Sequence, residues 1–273
     1  MSEPPLRGKV AIVTGAASAL GLGHAMTLAL LRAGARVAMM DVDVEALERS
    51  VSDARKIGGR SSVLPMVADV TKPEDVQRVV QKTLAGLGGL DILINNAGIN
   101  PRIGVGPSGL IFDSIPPDVW LQTVNVNVNG PFLMARAVAG HMVAQGWGRI
   151  IGVTTSMDTM LRVAPYGPSK AAHEALVALM AQELQGTGVT ANVLIPGGAT
   201  NTGMIPPERD RRSLLAPEVM QAPAVWLASA ASDGFSGRRL TARFWDEELP
   251  LDERLAKASA PVGWPQLGRY AGG

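Results

Sequence analysis

Short apolar runs alternate with amphipathic, helix-period stretches along most of the chain. Residues 9–13 form a first strand-like run ending at Thr14-Gly15, and helical spacing follows from about 20 to 32. Gly34 stands where a glycine closes a helix. A second run, 36–40, closes on Asp41; a polar amphipathic stretch, 44–57, ends at Gly58-Gly59; a third run, 63–67, leads into Asp69. Asp43 is placed as a helix cap, and Thr71-Lys72-Pro73-Glu74 reads as a helix start with the threonine as cap and the proline just inside. The fourth run, 92–94, stops at Asn95-Asn96-Ala97-Gly98. Beyond it the pattern predicts a Gly- and Pro-rich loop over 100–117, a helix over 118–144, a strand over 150–153, a helix over 168–184 and a strand over 189–195. An irregular segment, 196–216, then precedes a helix over 217–229 and a seventh strand over 239–244.

Strands alternating with helices predict an α/β fold: a doubly wound parallel sheet of about seven strands with helices on both faces and right-handed crossovers, a single-domain Rossmann fold. No repeat or low-complexity linker divides it. From Trp245 onward no element is apparent, so residues 245–273 are expected as a C-terminal tail packed on the domain, 1–244, or on a partner subunit.

The length of 273 residues and a 47% hydrophobic content are enough for one large core. Net charge is +1 without a basic or acidic block, so neither nucleic acid nor an anionic membrane surface is implied as a partner. The chain has no cysteine, which excludes disulfides, thiolate metal sites and a cysteine nucleophile, and agrees with a cytoplasmic setting. The first residues, Met1-Ser2-Glu3-Pro4-Pro5, show no basic stretch followed by an apolar run, and no apolar run is long enough to span a bilayer.

In such a sheet ligands bind at the carboxyl ends of the strands, and the unusual residue clusters fall there. Thr14–Gly21 is a turn of small residues before a helix, able to bring backbone N–H groups and a helix N-terminus to a pyrophosphate; Gly15, Ser18, Leu20 and Gly21 are its candidate contacts. Asp41 closes the second strand roughly twenty residues on, where a carboxylate accepts from an adenosine ribose and repels a 2′-phosphate; this favours NAD over NADP. Tyr166 and Lys170 are four residues apart and share a helix face. A nearby ammonium stabilises phenolate and lowers a tyrosine pKa, which would make Tyr166 an acid–base group.

Together these motifs resemble the short-chain dehydrogenase/reductase family over residues 6–240. The glycine pattern matches at Thr14, Gly15 and Gly21, with Ala19 in place of the middle glycine. The resemblance implies cofactor contacts at Asp69 and Val70 beside the adenine, at Asn96, Ala97 and Gly98 on the adenosine side, and at Pro196, Gly197 and Thr202 beside the nicotinamide. It makes Tyr166 and Lys170 the catalytic pair, with Lys170 also holding the nicotinamide ribose. Asn127 matches the family's helix asparagine, whose carbonyl anchors a relay water. Pro131 lacks the N–H that the Asn127 carbonyl would otherwise accept, so a kink and a free carbonyl are expected there. The substrate-orienting hydroxyl falls on Thr155 by strand count, with Ser156 as the alternative, and the loop 157–165 before Tyr166 is short for the family. A homotetramer or dimer is also implied, with the helices around Asn127 and after Tyr166 as interface candidates.

The three histidines, His24, His141 and His173, lie on separate helices without paired spacing, and no metal is assigned. Arg209, Arg211 and Arg212 follow Pro196-Gly197, either as attractants for an anionic substrate or as a solvated basic loop; Met157, Met160, Met204 and Ile205 either line an apolar pocket or anchor loops. The expectation is an oxidoreductase exchanging a hydride between NAD(H) and a secondary alcohol or carbonyl. An NADPH-dependent carbonyl reductase and a non-catalytic dinucleotide-binding regulator are the alternatives.

Overall fold

A computed structural model describes residues 3–101, 103–105, 108–206 and 208–265. Eight strands form one sheet: β1 (Val10–Thr14), β2 (Arg36–Asp41), β3 (Val63–Val67), β4 (Ile92–Asn95), β5 (Gly148–Val153), β6 (Val189–Ile195), β7 (Arg238–Thr241) and β8 (Ser259–Pro261). Their order is β3-β2-β1-β4-β5-β6-β7-β8, parallel throughout except for the antiparallel β7–β8 edge. The order reverses between β1 and β4, which opens a crevice at their carboxyl ends.

The unbroken apolar runs are explained by burial on both faces. Side chains of β1 alternate between two cores: Ala11 and Val13 pack with Val37, Met39, Ile92 and Ile94. Val10 and Ile12 pack on the other face with Ala38, Met40 and Leu93. The helices α1 (Leu22–Arg32), α2 (Val44–Gly58), α3 (Pro73–Leu87), α4 (Pro117–Val124), α5 (Gly130–Ala144), α6 (Met157–Arg162), α7 (Tyr166–Glu183), α8 (Gln221–Ala228) and α9 (Leu251–Ala258) cover these faces and edges.

Several local expectations change. Thr71 does not cap α3; Lys72 holds that position, while the Thr71 backbone N–H and hydroxyl both donate to Asp69 Oδ1. The expected helix over 118–144 is three pieces, with a π-helical turn at Asn125–Asn129 between α4 and α5. Pro131 has no N–H to offer the carbonyl four residues back, Asn127, or five back, Val126, so both regular patterns fail there. The segment before Tyr166 holds a short helix, α6, whose cap is Ser156. The seventh strand is shorter than expected and turns into a 3-10 segment at Ala242–Phe244. Past Trp245 the described residues hold α9 followed by the edge strand β8, elements the pattern did not show. That strand is held by the backbone of β7 rather than by any apolar pattern of its own.

Candidate active site

The crevice at the carboxyl ends of β1, β4, β5 and β6 is a cleft of about 990 Å³. Its floor at one end is the turn after β1. Gly15 has φ +67°, and a Cβ there would stand 2.8 Å from the Ala97 Cα, so only glycine lets this turn meet the β4 turn. The Thr14 hydroxyl joins the two: it accepts from the backbone N–H of Asn96 and of Ala97, both at 3.0 Å, and donates to the Ile94 carbonyl. The Asn96 amide returns the contact by donating to the carbonyls of Thr14 and Gly15, each at 2.9 Å. Asn96 thus acts on the cleft wall as a clasp as well as lining it.

Asp41 is fixed at the end of β2. One carboxylate oxygen accepts from Ala17 N–H at 2.9 Å, the other from Val42 and Asp43 N–H. Asp69 is tied into its own turn through Thr71, and Val70 lies beneath Gly130, where a Cβ would come within 2.7 Å of Val70 Cγ2. Ser18 and Gly21 line the cleft, and Leu22 does so as well. Leu20 does not: it is 53% exposed and points its apolar side chain outside the lining. Ala19 is likewise exposed and outside the lining, so its methyl does not fill the turn.

At the other end stand Tyr166, the first residue of α7, and Lys170 one turn on. Lys170 is buried and donates to the Val153 carbonyl at 2.8 Å. Burial holds its pKa down at about 8 and pushes the Tyr166 phenol up to about 12. The ammonium lies 5.8 Å from the centre of the phenol ring, and the desolvation of Tyr166 outweighs the lowering expected from that neighbour. Tyr166 lines the open cleft, and as a whole residue it is only partly buried.

Asn127, on the π-helical turn, is fully buried beneath the cleft and does not line it. Its Oδ1 accepts from Ile99 N–H at 2.8 Å, and its Nδ2 donates to the Ile99 carbonyl and to Ser169 Oγ, both at 2.9 Å. The side chain therefore clasps the loop after Gly98 to α7. The two candidate hydroxyls also separate. Ser156 Oγ accepts from Thr159 N–H at 3.2 Å and pairs with Thr159 Oγ1 at 3.0 Å, as a helix cap does. Both residues line the cleft, and the Thr155 hydroxyl, unlike that of Ser156, makes no hydrogen bond within the described residues.

The segment after β6 closes the remaining side. Gly197 has φ +88°, and a Cβ there would meet Thr241 Cγ2 at 2.5 Å. Pro196, Gly197 and Thr202 line the cleft, and the segment's ends are pinned where Asn201 N–H donates to the Leu215 carbonyl and Leu215 N–H to that of Ala199. Of the three arginines, Arg211 reaches the Asn201 side chain and the Ile205 carbonyl, Arg212 pairs with Asp210, and Arg209 lines the cleft. Met204 and Ile205 line it too; Met157 and Met160 do not. No cluster of three or more potential metal ligands occurs among the described residues.

The glycines that let two backbones meet, the fixed carboxylate and the tyrosine–lysine pair fit a nicotinamide dinucleotide. The sequence pattern of the family described as short chain dehydrogenase matches residues 9–213. The chain belongs to the short-chain dehydrogenases. It is similar to the (2S)-[(R)-hydroxy(phenyl)methyl]succinyl-CoA dehydrogenase subunit BbsD of Thauera aromatica, with 34% identity over 213 residues, 77% of this chain and 81% of that one. It is also similar to the 2-dehydro-3-deoxy-D-gluconate 5-dehydrogenase of Escherichia coli (strain K12), with 31% identity over 87% of this chain and 94% of that one. Among solved structures it resembles the 3-ketoacyl-(acyl-carrier-protein) reductase of Brucella melitensis complexed with NADH, with a TM-score of 0.73 and 28% identity over 85% of this chain and 95% of that one.

As a short-chain dehydrogenase the chain is an oxidoreductase of a family that binds nicotinamide dinucleotides. Sequence reasoning passed over two parts of this dehydrogenase's cleft. One is the Thr14 hydroxyl, which the pattern showed only as the residue before a glycine. The other is Gly23, where a Cβ would stand 2.3 Å from the Gly15 carbonyl oxygen; a glycine two residues past the turn was the available signal.

Proposed function

We propose that the protein is an NAD-dependent dehydrogenase that interconverts a secondary alcohol and a ketone. The observation that carries this reading is the convergence, in one cleft, of the Gly15 turn, the Asp41 carboxylate and the Tyr166–Lys170 pair with a free Thr155 hydroxyl beside them. Gly15, Ser18, Gly21, Asp41, Asp69, Val70, Ala97, Gly98, Pro196, Gly197 and Thr202 would hold the dinucleotide, whose nicotinamide supplies the hydride acceptor or donor. Asp41 is the basis for preferring NAD: a fixed carboxylate with no ion-pair partner among the described residues repels a 2′-phosphate.

On the protein's side, Thr155 Oγ1 donates to the substrate oxygen and fixes its direction. Tyr166 takes the hydroxyl proton in oxidation and returns it in reduction. Lys170 places a positive charge beneath the phenol, favouring phenolate when that proton moves, and the Asn127 carbonyl holds a water through which the proton reaches solvent. Family resemblance supports a homo-oligomer built on the helices around Asn127 and after Tyr166. The reading is tested by following absorbance at the NADH maximum across a panel of secondary alcohols, hydroxy acids and polyols with NAD and with NADP. Turnover with NAD on some member supports it. Cofactor binding with no turnover on any would leave a dinucleotide-binding regulator instead.

A further inference from the structure

Three successive residues at the end of β5 are each held by a charged side chain arriving from another element. The Val153 carbonyl accepts from Lys170. The Thr154 hydroxyl donates to Glu174 Oε2 at 3.2 Å. The Thr155 carbonyl accepts from Arg239 Nη2, and Arg239 Nη1 closes the set on Glu174 Oε2. Glu174 stands one helical turn beyond Lys170 on α7, and Arg239 sits in the middle of β7, in register with Val193 of β6 and Ala260 of β8. The Glu174 carboxylate is fully buried and the Arg239 guanidinium nearly so.

Burying such a pair is costly, and apolar residues of similar volume would stabilise the fold equally well. What the pair supplies is geometry. A guanidinium is a rigid planar fork; with one Nη held by Glu174 and the other on the Thr155 carbonyl, the Thr155 backbone cannot shift without losing its bond to a donor that the buried ion pair fixes in place. The same carboxylate restrains Thr154. Thr155 lines the cleft, and its own hydroxyl makes no hydrogen bond within the described residues.

We infer that Glu174 and Arg239 are positioning residues for the Thr155 hydroxyl, and that the C-terminal edge strand, by pairing with β7, holds this brace in place. The inference rests on the assignment of Thr155 as the substrate-orienting group. A lysine at 239 keeps the charge but has no fork, so it can hold Glu174 or the Thr155 carbonyl but not both.

The test compares wild type with Arg239→Lys and Glu174→Gln, each also in a Thr155→Ala background. Circular dichroism and NADH titration report folding and cofactor binding, and amide hydrogen exchange is read over residues 153–156. The expected result for Arg239→Lys is an unchanged fold and NADH affinity, exchange over 153–156 faster by about tenfold or more, and kcat lower by roughly ten- to a hundredfold with KM little altered. In the Thr155→Ala background the same change should cost less than about twofold in kcat, because the group being positioned is gone. Unchanged exchange, or a loss of kcat that multiplies in full with Thr155→Ala, overturns the inference. If Arg239→Lys does not fold, Glu174→Gln, which keeps the side-chain volume and the acceptor for Thr154, carries the same comparison. If wild type turns over no substrate, the dehydrogenase reading fails, while the exchange result still decides whether the pair braces Thr155.

Discussion

Lys170 Nζ donates to the Val153 carbonyl at 2.8 Å, so the ammonium one turn from Tyr166 is moored to β5 rather than to the phenol. Its field reaches the phenol from 5.8 Å, while burial keeps that phenol protonated in the resting protein. Tyr166 is therefore expected to lose its proton only as chemistry proceeds. Tyr166→Phe removes that exchange without touching the Lys170 bond, and kcat should fall by about 10²–10⁴-fold with NADH affinity retained. Paired measurements of turnover and fluorescence titration check this; activity within a few-fold of wild type would remove Tyr166 from the mechanism.

The lysine carries a stability signature of its own. Its pKa is lowered by burial from 10.5 to about 8, so between those values the unfolded chain binds more protons than the folded one. Stability from this group accordingly rises as pH goes from about 8 to about 10.5, by at most ~3 kcal/mol. Tyr166 acts in the opposite sense above pH 10, since its raised pKa makes the folded chain hold the proton longer. Comparing wild type with Lys170→Met cancels the tyrosine contribution. In urea unfolding the wild type should gain on the variant steadily across pH 8–10.5, and a flat difference would mean that Lys170 is not held below its usual range.

These features differ in how far they could be read from the chain. The strand ends were legible, because the apolar runs fix where each strand stops: Asp41 closes β2, and Asp69, Asn96 and Thr155 lie just past the ends of β3, β4 and β5. The π-helical turn was only half legible: Pro131 announced a fault, but alternating Asn and Val over 125–129 carries no helical period. The brace at β5 was not legible, since Glu174 and Arg239 are 65 positions apart and a charged residue in either element reads as a solvated face. The edge strand Ser259–Pro261 is defined by its neighbour's backbone and leaves no pattern in three residues. Which residues of a turn face inward is not legible in its spacing: Leu20 carries its side chain outside the cleft lining, while Ser18 and Gly21 line it.

Thr155 and Ser156 are adjacent hydroxyls with different attachments, and their alanine variants should fail differently. Ser156→Ala removes the cap of α6 and should cost about 0.5–2 kcal/mol of stability with a modest effect on kcat. Thr155→Ala removes a hydroxyl that makes no hydrogen bond among the described residues, so it should leave the melting temperature nearly unchanged. Its kcat should fall by about 10²-fold, as when one preorganised donor is lost. Melting curves and kcat on one substrate distinguish the pair, and the reverse pattern would assign Ser156.

Asp41 has two duties, and a single substitution separates them. Its Oδ2 holds the Ala17 N–H of the turn, and its charge guards the end of β2. Asp41→Ser keeps an acceptor but removes the charge. NADP affinity should rise by roughly tenfold or more, well within the ~4 kcal/mol that two unit charges exchange at 4 Å near a protein surface. NAD affinity should fall only a few-fold through loosening of the turn. Calorimetric titration with both cofactors measures this, and an unchanged ratio would show that another group sets the preference.

Gly23 offers a sharper probe of the turn, because the clash it prevents is with backbone. A Cβ there would lie 2.3 Å from the Gly15 carbonyl oxygen and 2.5 Å from Asn96 Nδ2. Those are the atoms that clasp the β1 turn to the β4 turn, so the strain cannot be relieved by rotating a side chain. Gly23→Ala should cost about 1–3 kcal/mol by overpacking, a drop of roughly 2–6 °C in melting temperature, and should weaken NADH binding in parallel. Gly140→Ala is the matched control: it lies in the interior of α5, exposed, with no atom within 4 Å of the added Cβ. There the usual helix preference for alanine should stabilise the protein by up to ~1 kcal/mol without changing NADH affinity. If both substitutions behave alike, helix propensity rather than the clasp governs Gly23, and the close meeting of the two turns is not what shapes the dinucleotide end of the cleft.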